Sequence, residues 1–285
     1  MLRFVYRGKE YGWEEWHEEK KKFVDKLELP DDLLIDWGLR DASIAHDRGY
    51  SIAMDKYREL YYLIASARNA LINSFDKFYE SNIIQWGSDY KAHIWMRSEY
   101  LKNSIIWYNS CEDYIYQAIW FAFEMGGGKI SSREDYEKQL KKVCYKSIKS
   151  KLEEQGTTES KELLSYINDY RFDENVKYMR ETLANNLKHR GNLNFMGIED
   201  NRMLGFKIQD ENKNMIFELS WIEPLIIDID ETIGKMSQVH EELINFARKI
   251  KDFINFDKMF ELDEEGNIVL GLIKDKREYK KIIFD

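Results

Sequence analysis

The sequence contains little proline and little cysteine. Its 285 residues include two prolines, Pro30 and Pro224, and two cysteines, Cys111 and Cys144. Because proline interrupts helices, its scarcity favours long helices over a β-sandwich with many turns. The cysteines lie far apart without CxxC spacing, which excludes a cysteine-based zinc site or redox pair. Both are predicted to be small, buried hydrophobic residues.

The sequence also lacks a long apolar run. No stretch approaches the ~20 apolar residues that a membrane-spanning helix needs. Glu10, Glu14 and Glu15 stand near the N-terminus, where a signal peptide would have its apolar region. We therefore expect a soluble, cytoplasmic protein with no membrane partner. The formal net charge of -9 argues against a surface that binds nucleic acid everywhere, because phosphate binding needs local positive potential.

Apolar and charged residues are both abundant. Hydrophobic residues make up 44% of the chain and charged residues 33%, enough for a packed core beneath a polar surface. These features predict a mainly α fold, an antiparallel helical bundle with one or two small β-hairpins in the C-terminal third. Since no linker interrupts the chain, a helical bundle (residues 1–197) and a region with a hairpin, a long helix and a last hairpin (198–285) are predicted to pack as one domain.

Two long helices are predicted to lead this bundle. Between about residues 52 and 81 the apolar positions recur at spacings of three and four, which places them on one helix face. A second helix is predicted from about residue 89 to 125, where three glycines follow. The two are expected to pack antiparallel, because the connection between them is short.

Shorter elements follow. A helix over residues 133–152 is predicted from a capping-box pattern, Ser131 to Glu134. Thr157 or Thr158 is expected to cap a helix to about residue 170, and Asp173 a helix that reaches residue 190. Beyond these, hairpins are predicted around residues 204–221 and 259–273, on either side of a helix that Pro224 opens and that ends near residue 254.

The predicted helix over residues 174–190 contains the sequence pattern that is most informative about chemical function. At 3.6 residues per turn its apolar residues fall on one face: Val176, Met179, Leu183 and Leu187. Polar residues fall on the other: Tyr178, Thr182, Asn185 and His189. A histidine turned away from the core can meet solvent, a cleft or a partner, and its free pKa suits proton transfer near neutral pH.

Residues 184–189, Ala-Asn-Asn-Leu-Lys-His, are followed by Arg190 and Gly191. This segment resembles the signature of the HEPN superfamily, in which Arg-Asn is followed three residues later by His. The resemblance covers the motif helix and, loosely, the long helices before it. It implies a helical bundle of bacterial toxin or defence type. In such proteins, Arg and His from two subunits line a dimer cleft and assist attack of an RNA 2′-hydroxyl on its phosphate without a metal.

The resemblance implies a catalytic set of His189, Asn185 and Arg190, with Asn186 and Lys188 in RNA binding. Ala184 stands at the position of the family's Arg, so the cation that would stabilise the pentavalent phosphate is missing there. Arg180 is a poor substitute on an α-helix, because nine residues place it opposite His189.

One basic stripe is predicted elsewhere, on the helix over residues 133–152. Four lysines are expected to share its face: Lys138, Lys142, Lys146 and Lys149. They are predicted to bind RNA phosphates or, alternatively, to form an ordinary solvated face. No metal or other cofactor is expected, since the single Glu14-x-x-His17 pair lacks the second pair that a di-iron site needs.

Two functions remain open from the sequence. The first is an RNA-associated, HEPN-like homodimer, either a weak metal-independent endoribonuclease or an inactive relative of one. The second is a noncatalytic helical protein that serves as an interaction or scaffold module. In the second case the basic residues 188–190 complement the negative end of the helix dipole, and Gly191 caps the helix.

Overall fold

The computed structural model describes residues 3–44, 46–77, 89–128, 130–190, 193–198, 205–213, 215–220, 226–265, 267–269 and 275–284. The fold is mainly α, as predicted, with small two-stranded sheets at its edges.

The N-terminal region begins with a hairpin that the sequence did not predict. Strands β1 (Arg3–Tyr6) and β2 (Lys9–Gly12) pair antiparallel. Arg7 and Gly8, at φ 47° and 78°, both adopt left-handed backbone, which matches the right-handed twist of the two strands. Two helices follow, α1 (Trp13–Lys26) and α2 (Trp37–Ile44).

Helices α3 (Arg48–Phe75) and α4 (Asp89–Ala122) form an antiparallel pair, as predicted. The last turn of α3 meets the first turns of α4, where Arg97 Nε donates a hydrogen bond to the Ser74 carbonyl at 2.8 Å. Helix α3 begins four residues earlier than predicted because the Asp47 carboxylate accepts the Tyr50 amide at 3.1 Å and caps it. Residues 78–81 of the predicted helix lie outside the described residues.

The region after α4 contains short helices. They are α5 (Arg133–Leu140), α6 (Tyr145–Gln155), α7 (Thr158–Arg171) and α8 (Glu174–Lys177), after which Tyr178–Ala184 and Asn186–Arg190 are π-helical. The prediction of one helix over 133–152 is wrong, because residues 141–144 form a turn between α5 and α6. The capping box of α5 is Ser132 with Asp135, one residue later than predicted.

Short strands follow the π-helical segment. Strand β3 (Asn194–Phe195) pairs in parallel with β6 (Ile226–Ile227). Between them in the chain, β4 (Gly205–Gln209) and β5 (Met215–Ser220) form the first of the two predicted hairpins.

Helix α9 (Ile229–Ile254) is the third long helix. Asp228 caps it by accepting the amides of Asp230 and Glu231 at 2.8 and 3.1 Å, so the helix begins after Pro224, which lies outside the described residues. Its C-terminal end lies against the beginning of α3: the Tyr50 hydroxyl donates to the Ile254 carbonyl at 3.1 Å. Helix α9 therefore runs antiparallel to α3.

The main core lies where α3, α4 and α9 meet. Tyr108 of α4 and His240 of α9 share a buried hydrogen bond of 2.8 Å. Near the C-terminal ends of the same two helices, Phe123, the residue after α4, packs edge-to-face on Phe253 of α9. The chain's last long helix is thus part of the central core.

The C-terminal residues close over the start of α3. Strands β7 (Glu261–Leu262) and β8 (Ile268–Val269) form the second predicted hairpin, and α10 (Lys276–Tyr279) follows. The Tyr279 hydroxyl donates to Asp47 Oδ2 at 2.8 Å, and Lys280 Nζ lies 2.8 Å from the same oxygen. We call these three residues, Asp47, Tyr279 and Lys280, the C-terminal clamp.

Candidate functional site

Residues 174–190, here called the motif segment, begin as the sequence predicts. Asp173 Oδ1 accepts the amides of Asn175 and Val176 at 2.9 and 3.0 Å, which starts α8. The apolar face is buried at Val176, Met179 and Leu183, whereas Leu187 is half-buried. This face packs into the main core and holds the segment in place.

The winding of the motif segment differs from the prediction. The Asn185 amide donates to the carbonyl of Arg180, five residues earlier, as in a π-helix. One turn therefore takes roughly four to five residues in place of 3.6. Nine residues then make fewer turns than they would on an α-helix, so the α-helical argument that places Arg180 opposite His189 does not apply to this winding. The expectation that Arg180 faces away from His189 holds only for an α-helix.

The predicted catalytic residues differ in exposure. Asn185 and His189 are both exposed. Ala184, at the position of the family's Arg, is only 1% exposed and belongs to the core. The backbone of Arg190 is π-helical, and its side chain lies outside the described residues. The segment thus has an exposed Asn and an exposed His, while the position of the family's Arg is an uncharged, buried alanine.

Glu112 of α4 is a buried carboxylate that lies within ion-pair range of Arg171 and Arg180. Arg171 Nη1 lies 2.7 Å from Glu112 Oε1, and Arg180 Nη1 lies 4.0 Å from it. Arg180 also donates to the Arg171 carbonyl at 2.9 Å and lies 3.2 Å from Glu181. The Arg180 guanidinium is therefore held away from solvent and paired with two carboxylates.

Two tyrosines complete this cluster. The Tyr116 hydroxyl donates to Glu112, and burial together with the nearby carboxylate raises the pKa of Tyr116. The Tyr170 hydroxyl is buried without a hydrogen-bond partner in the part of the chain that is described. No motif in the sequence predicted Glu112, Tyr116 or Tyr170 at this site. The adjacent acidic pair Glu112-Asp113, within an aromatic and apolar stretch of α4, is the signal that points to them.

The predicted binding residues of the motif segment have separate environments. Asn186 is half-buried and donates to the Thr182 carbonyl at 2.5 Å, so its amide serves the helix. Lys188 is exposed and lies near Asp113 of α4. The pKa of Asp113 is raised by partial loss of hydration, and Lys188 opposes that shift.

The predicted basic stripe is divided between two helices. Lys138 lies on α5, Lys142 in the turn, and Lys146 on α6; all three are exposed. Lys149 is partly buried and lies 3.7 Å from Glu153, which reduces its availability to phosphate. The turn also exposes Lys141, which the single-helix prediction did not include.

Cys144 caps α6 and is exposed, so its prediction as a buried residue is wrong. Its thiol lies 3.2 Å from the Ser147 hydroxyl, and this hydrogen bond lowers the pKa of Cys144. Cys111 is fully buried, as predicted.

Four exposed residues are grouped here as the Lys142–Phe172 surface, because Tyr145, in the chain between two of the lysines, contacts Phe172: Lys138, Lys142, Lys146 and Phe172. Tyr145, between Lys142 and Lys146 in sequence, packs edge-to-face on Phe172, with ring centroids 6.3 Å apart. The Arg171 guanidinium lies over the Tyr145 ring at 4.2 Å. Phe172 itself is 59% exposed. Arg171 therefore links the basic surface to Glu112 and, through it, to the motif segment.

Arg68 of α3 is a further cation of the bundle, and it is bound at the end of α1. Its guanidinium donates to the carbonyls of Leu27 and Val24, the latter at 3.3 Å, at the end of α1. Among the described residues, no three His, Cys, Asp or Glu side chains are grouped so that they could hold a metal ion. None of the described helices is both long and apolar enough to cross a bilayer.

No protein-family model, curated protein or solved structure matches this chain.

Proposed function

We propose that this chain is a HEPN-like RNA-associated protein that binds single-stranded RNA without cleaving it efficiently. The burial of Ala184, on a segment whose Asn185 and His189 are exposed, is the observation that carries this proposal. His189 keeps access to solvent and can contact RNA. The cation that would stabilise a pentavalent phosphate is missing from the adjacent position.

Arg180 does not restore that cation. Its guanidinium donates to the Arg171 carbonyl and is paired with carboxylates. Freeing it would leave the buried Glu112 with one cation fewer, which is unfavourable. Loss of one such transition-state contact lowers the rate by about 10² to 10³. Binding is therefore the activity that the site retains.

RNA binding is supported by the Lys142–Phe172 surface. Three exposed lysines supply local positive charge, and in the described part of the chain none of them has an ion-pair partner. The exposed ring of Phe172 offers a platform on which a base can stack. Basic residues beside an exposed aromatic ring are the combination that binds single strands with little sequence preference. A local patch of this kind is compatible with a net charge of -9.

The same proposal includes a homodimer. The HEPN resemblance implies a two-fold cleft, and a single chain presents only one copy of the exposed Asn185 and His189. Sedimentation velocity at micromolar protein is expected to give a dimer. A strictly monomeric chain that still binds RNA would remove the dimer from the proposal and leave RNA binding in place.

The test is fluorescence anisotropy with labelled single-stranded and hairpin RNA of equal length, in EDTA, with gel analysis for cleavage. The double variant Lys142→Glu/Lys146→Glu is expected to weaken binding at least about tenfold. The slope of log affinity against log salt concentration is expected to become shallower by about 1.4. The matched control is Lys21→Glu/Lys22→Glu. It changes the net charge equally on exposed positions of α1 and is expected to bind RNA like the wild type. Phe172→Ala is expected to weaken binding to the single strand about tenfold.

Three outcomes would contradict the proposal. Equal loss in the two double variants would mean that only overall charge matters. Cleavage that disappears in His189→Ala would make the protein an active ribonuclease. If the folded wild type binds neither RNA, the noncatalytic interaction protein becomes the better description.

A further inference from the structure

Four aromatic rings surround the ammonium group of Lys77. Its Nζ lies 4.8 Å from the ring centroid of Trp16, 5.1 Å from those of Tyr6 and Tyr11, and 5.5 Å from that of Phe75. All four distances are within the ~6 Å over which a cation is attracted to the face of a ring. We call these four rings the aromatic cage.

The aromatic cage is a rigid assembly. Tyr6, Tyr11 and Trp16 are 8%, 6% and 3% exposed. Trp16 stacks on Phe75 with centroids 5.2 Å apart, and Phe75 stacks on Phe23 of α1 at 4.1 Å. Because the rings come from the N-terminal hairpin, α1 and the end of α3, packing fixes them whether or not a cation lies between them.

The polar surroundings of the cage are also fixed. The Tyr6 hydroxyl donates to Asp230 at 3.0 Å and accepts a hydrogen bond from the fully buried Arg97. Arg97 in turn lies 2.5 Å from Asp230. Asp230 is therefore already paired, and a cation in the cage is attracted by the rings at close range and by the charges of Asp230 and Glu19 at longer range.

The cage suits the Lys77 ammonium poorly. Within the described ranges, Nζ has no hydrogen-bond acceptor and no carboxylate in ion-pair range. Burial lowers the pKa of Lys77. A primary ammonium has three N–H donors that are satisfied in water and unsatisfied among rings. A quaternary ammonium has no such donors to lose, so the same rings bind it at a smaller desolvation penalty.

Lys77 can leave the cage without unwinding a helix. Helix α3 ends at Phe75, and Asp76, its C-cap residue, is anchored by an ion pair of 2.5 Å with Lys20. Lys77 follows this anchor and is itself only half-buried.

From this geometry we propose that the aromatic cage is a binding site for an alkylated ammonium group, of the choline or trimethyllysine type, and that Lys77 is its intramolecular competitor. The ligand displaces the Lys77 side chain and takes its place between the rings. Choline and trimethyllysine present the same trimethylammonium group, so the two sources differ only in what is attached to it.

The test is isothermal titration calorimetry with choline, Nε-trimethyllysine and the neutral choline isostere 3,3-dimethylbutan-1-ol. Lys77→Ala empties the cage and is expected to bind choline about tenfold more tightly than the wild type, because the competitor is gone. The isostere is expected to bind neither protein measurably, since it lacks the charge that the rings attract. Phe75→Leu, made in the Lys77→Ala background, is expected to weaken choline binding severalfold. If trimethyllysine binds more tightly than choline, the natural ligand is a modified lysine of a protein. If choline binds more tightly, the natural ligand is a free small cation.

Lys9→Ala is the matched control. Lys9 Nζ lies 4.3 Å from the Tyr11 ring but also pairs with Glu15 and Glu19, so removing it takes away a neighbouring cation without emptying the cage. Choline binding to Lys9→Ala should equal that of the wild type. The proposal is overturned if Lys77→Ala binds choline no better than the wild type, or binds the isostere equally well. Lys77→Gln serves as a second variant, and unfolding of both would mean that the cage needs its lysine and does not open.

Discussion

His240 is a buried histidine whose two ring nitrogens are both used. Nε2 lies 2.6 Å from the Glu28 carbonyl, which only accepts, so Nε2 carries the proton. Nδ1 therefore accepts the Tyr108 hydroxyl at 2.8 Å. Burial of the neutral ring lowers its pKa to about 4.

We predict that this histidine makes stability fall with acid. The pKa is depressed in the folded state, so between pH 6.5 and 4 the unfolded chain takes up the proton first. The full stability is present above pH 6.5 and is lost as the pH falls towards 4. The loss from this one group between pH 7 and pH 5 is about 2 kcal/mol, measured by urea unfolding at each pH.

His240→Gln is the comparison for this prediction. Glutamine can donate to the Glu28 carbonyl and accept from Tyr108, but it does not titrate. It is expected to be less stable at pH 7 and to lose less stability than the wild type between pH 7 and pH 5. Parallel pH curves for the two proteins would assign the acid sensitivity to other groups.

Individual residues show which features of the candidate site can be predicted from the sequence and which cannot. The exposure of Asn185 and His189 agrees with their polar character. The burial of Ala184 could not be read in the same way, because alanine is tolerated both in cores and on surfaces. The pairing of Arg180 with Glu112 joins residues 68 positions apart and depends on tertiary packing that no local pattern encodes.

At the level of secondary structure, the π-helical part of the motif segment is expected to be its least stable part. A π-turn is wider than an α-turn, so the atoms along its axis lose dispersion contacts. We predict that amides of residues 181–190 exchange with solvent at least about tenfold faster than those of α7. Hydrogen exchange followed by mass spectrometry measures this directly. Helix α7 is the suitable reference because it also has one buried and one exposed face. Equal protection in the two segments would contradict the prediction.

Periodicity predicts some helices of this chain well and others poorly. Helix α3 was predicted because its buried face repeats through six turns or more, a pattern that few alternatives reproduce. The same periodicity did not predict the break between α5 and α6. Leu140 and Ile148 have the spacing of a continuous helix, and the turn at residues 141–144 contains neither glycine nor proline. The N-terminal hairpin was missed because its turn is Arg7-Gly8, whereas Asn-Gly or Asp-Gly is the usual signal.

At the scale of the whole molecule, the C-terminal clamp joins the beginning of α3 to the C-terminal residues. Asp47 and Lys280 have side chains that are 0% and 3% exposed. We predict that Asp47→Asn destabilises the protein by about 3 kcal/mol, because it leaves the Lys280 ammonium buried without its main counter-charge. Asparagine still caps α3 through its Oδ1, so the loss reports the contacts of Asp47 Oδ2 with Lys280 and Tyr279. Urea unfolding gives the free energy.

The matching double variant separates pairing from packing. Asp47→Asn combined with Lys280→Met is expected to be more stable than the sum of the two single losses implies, since neither charge is then left alone. Lys276→Met removes a half-exposed ion pair with Glu124 and a longer one of 3.9 Å with Asp47, and it should lose no more than about 1 kcal/mol. Strictly additive losses for Asp47 and Lys280 would show that the pair makes no joint contribution.

The position of α9 in the core has a consequence for how the chain is made. Tyr50 and Tyr57 of α3 bond to carbonyls 204 and 190 residues further along. On a ribosome, α3 and α4 emerge long before their third partner. At about 10 residues per second, the interval between the end of α4 and the end of α9 is on the order of ten seconds. Through that time the parts of the first two helices that α9 covers are exposed, and we expect the nascent chain to bind chaperones that recognise apolar surfaces.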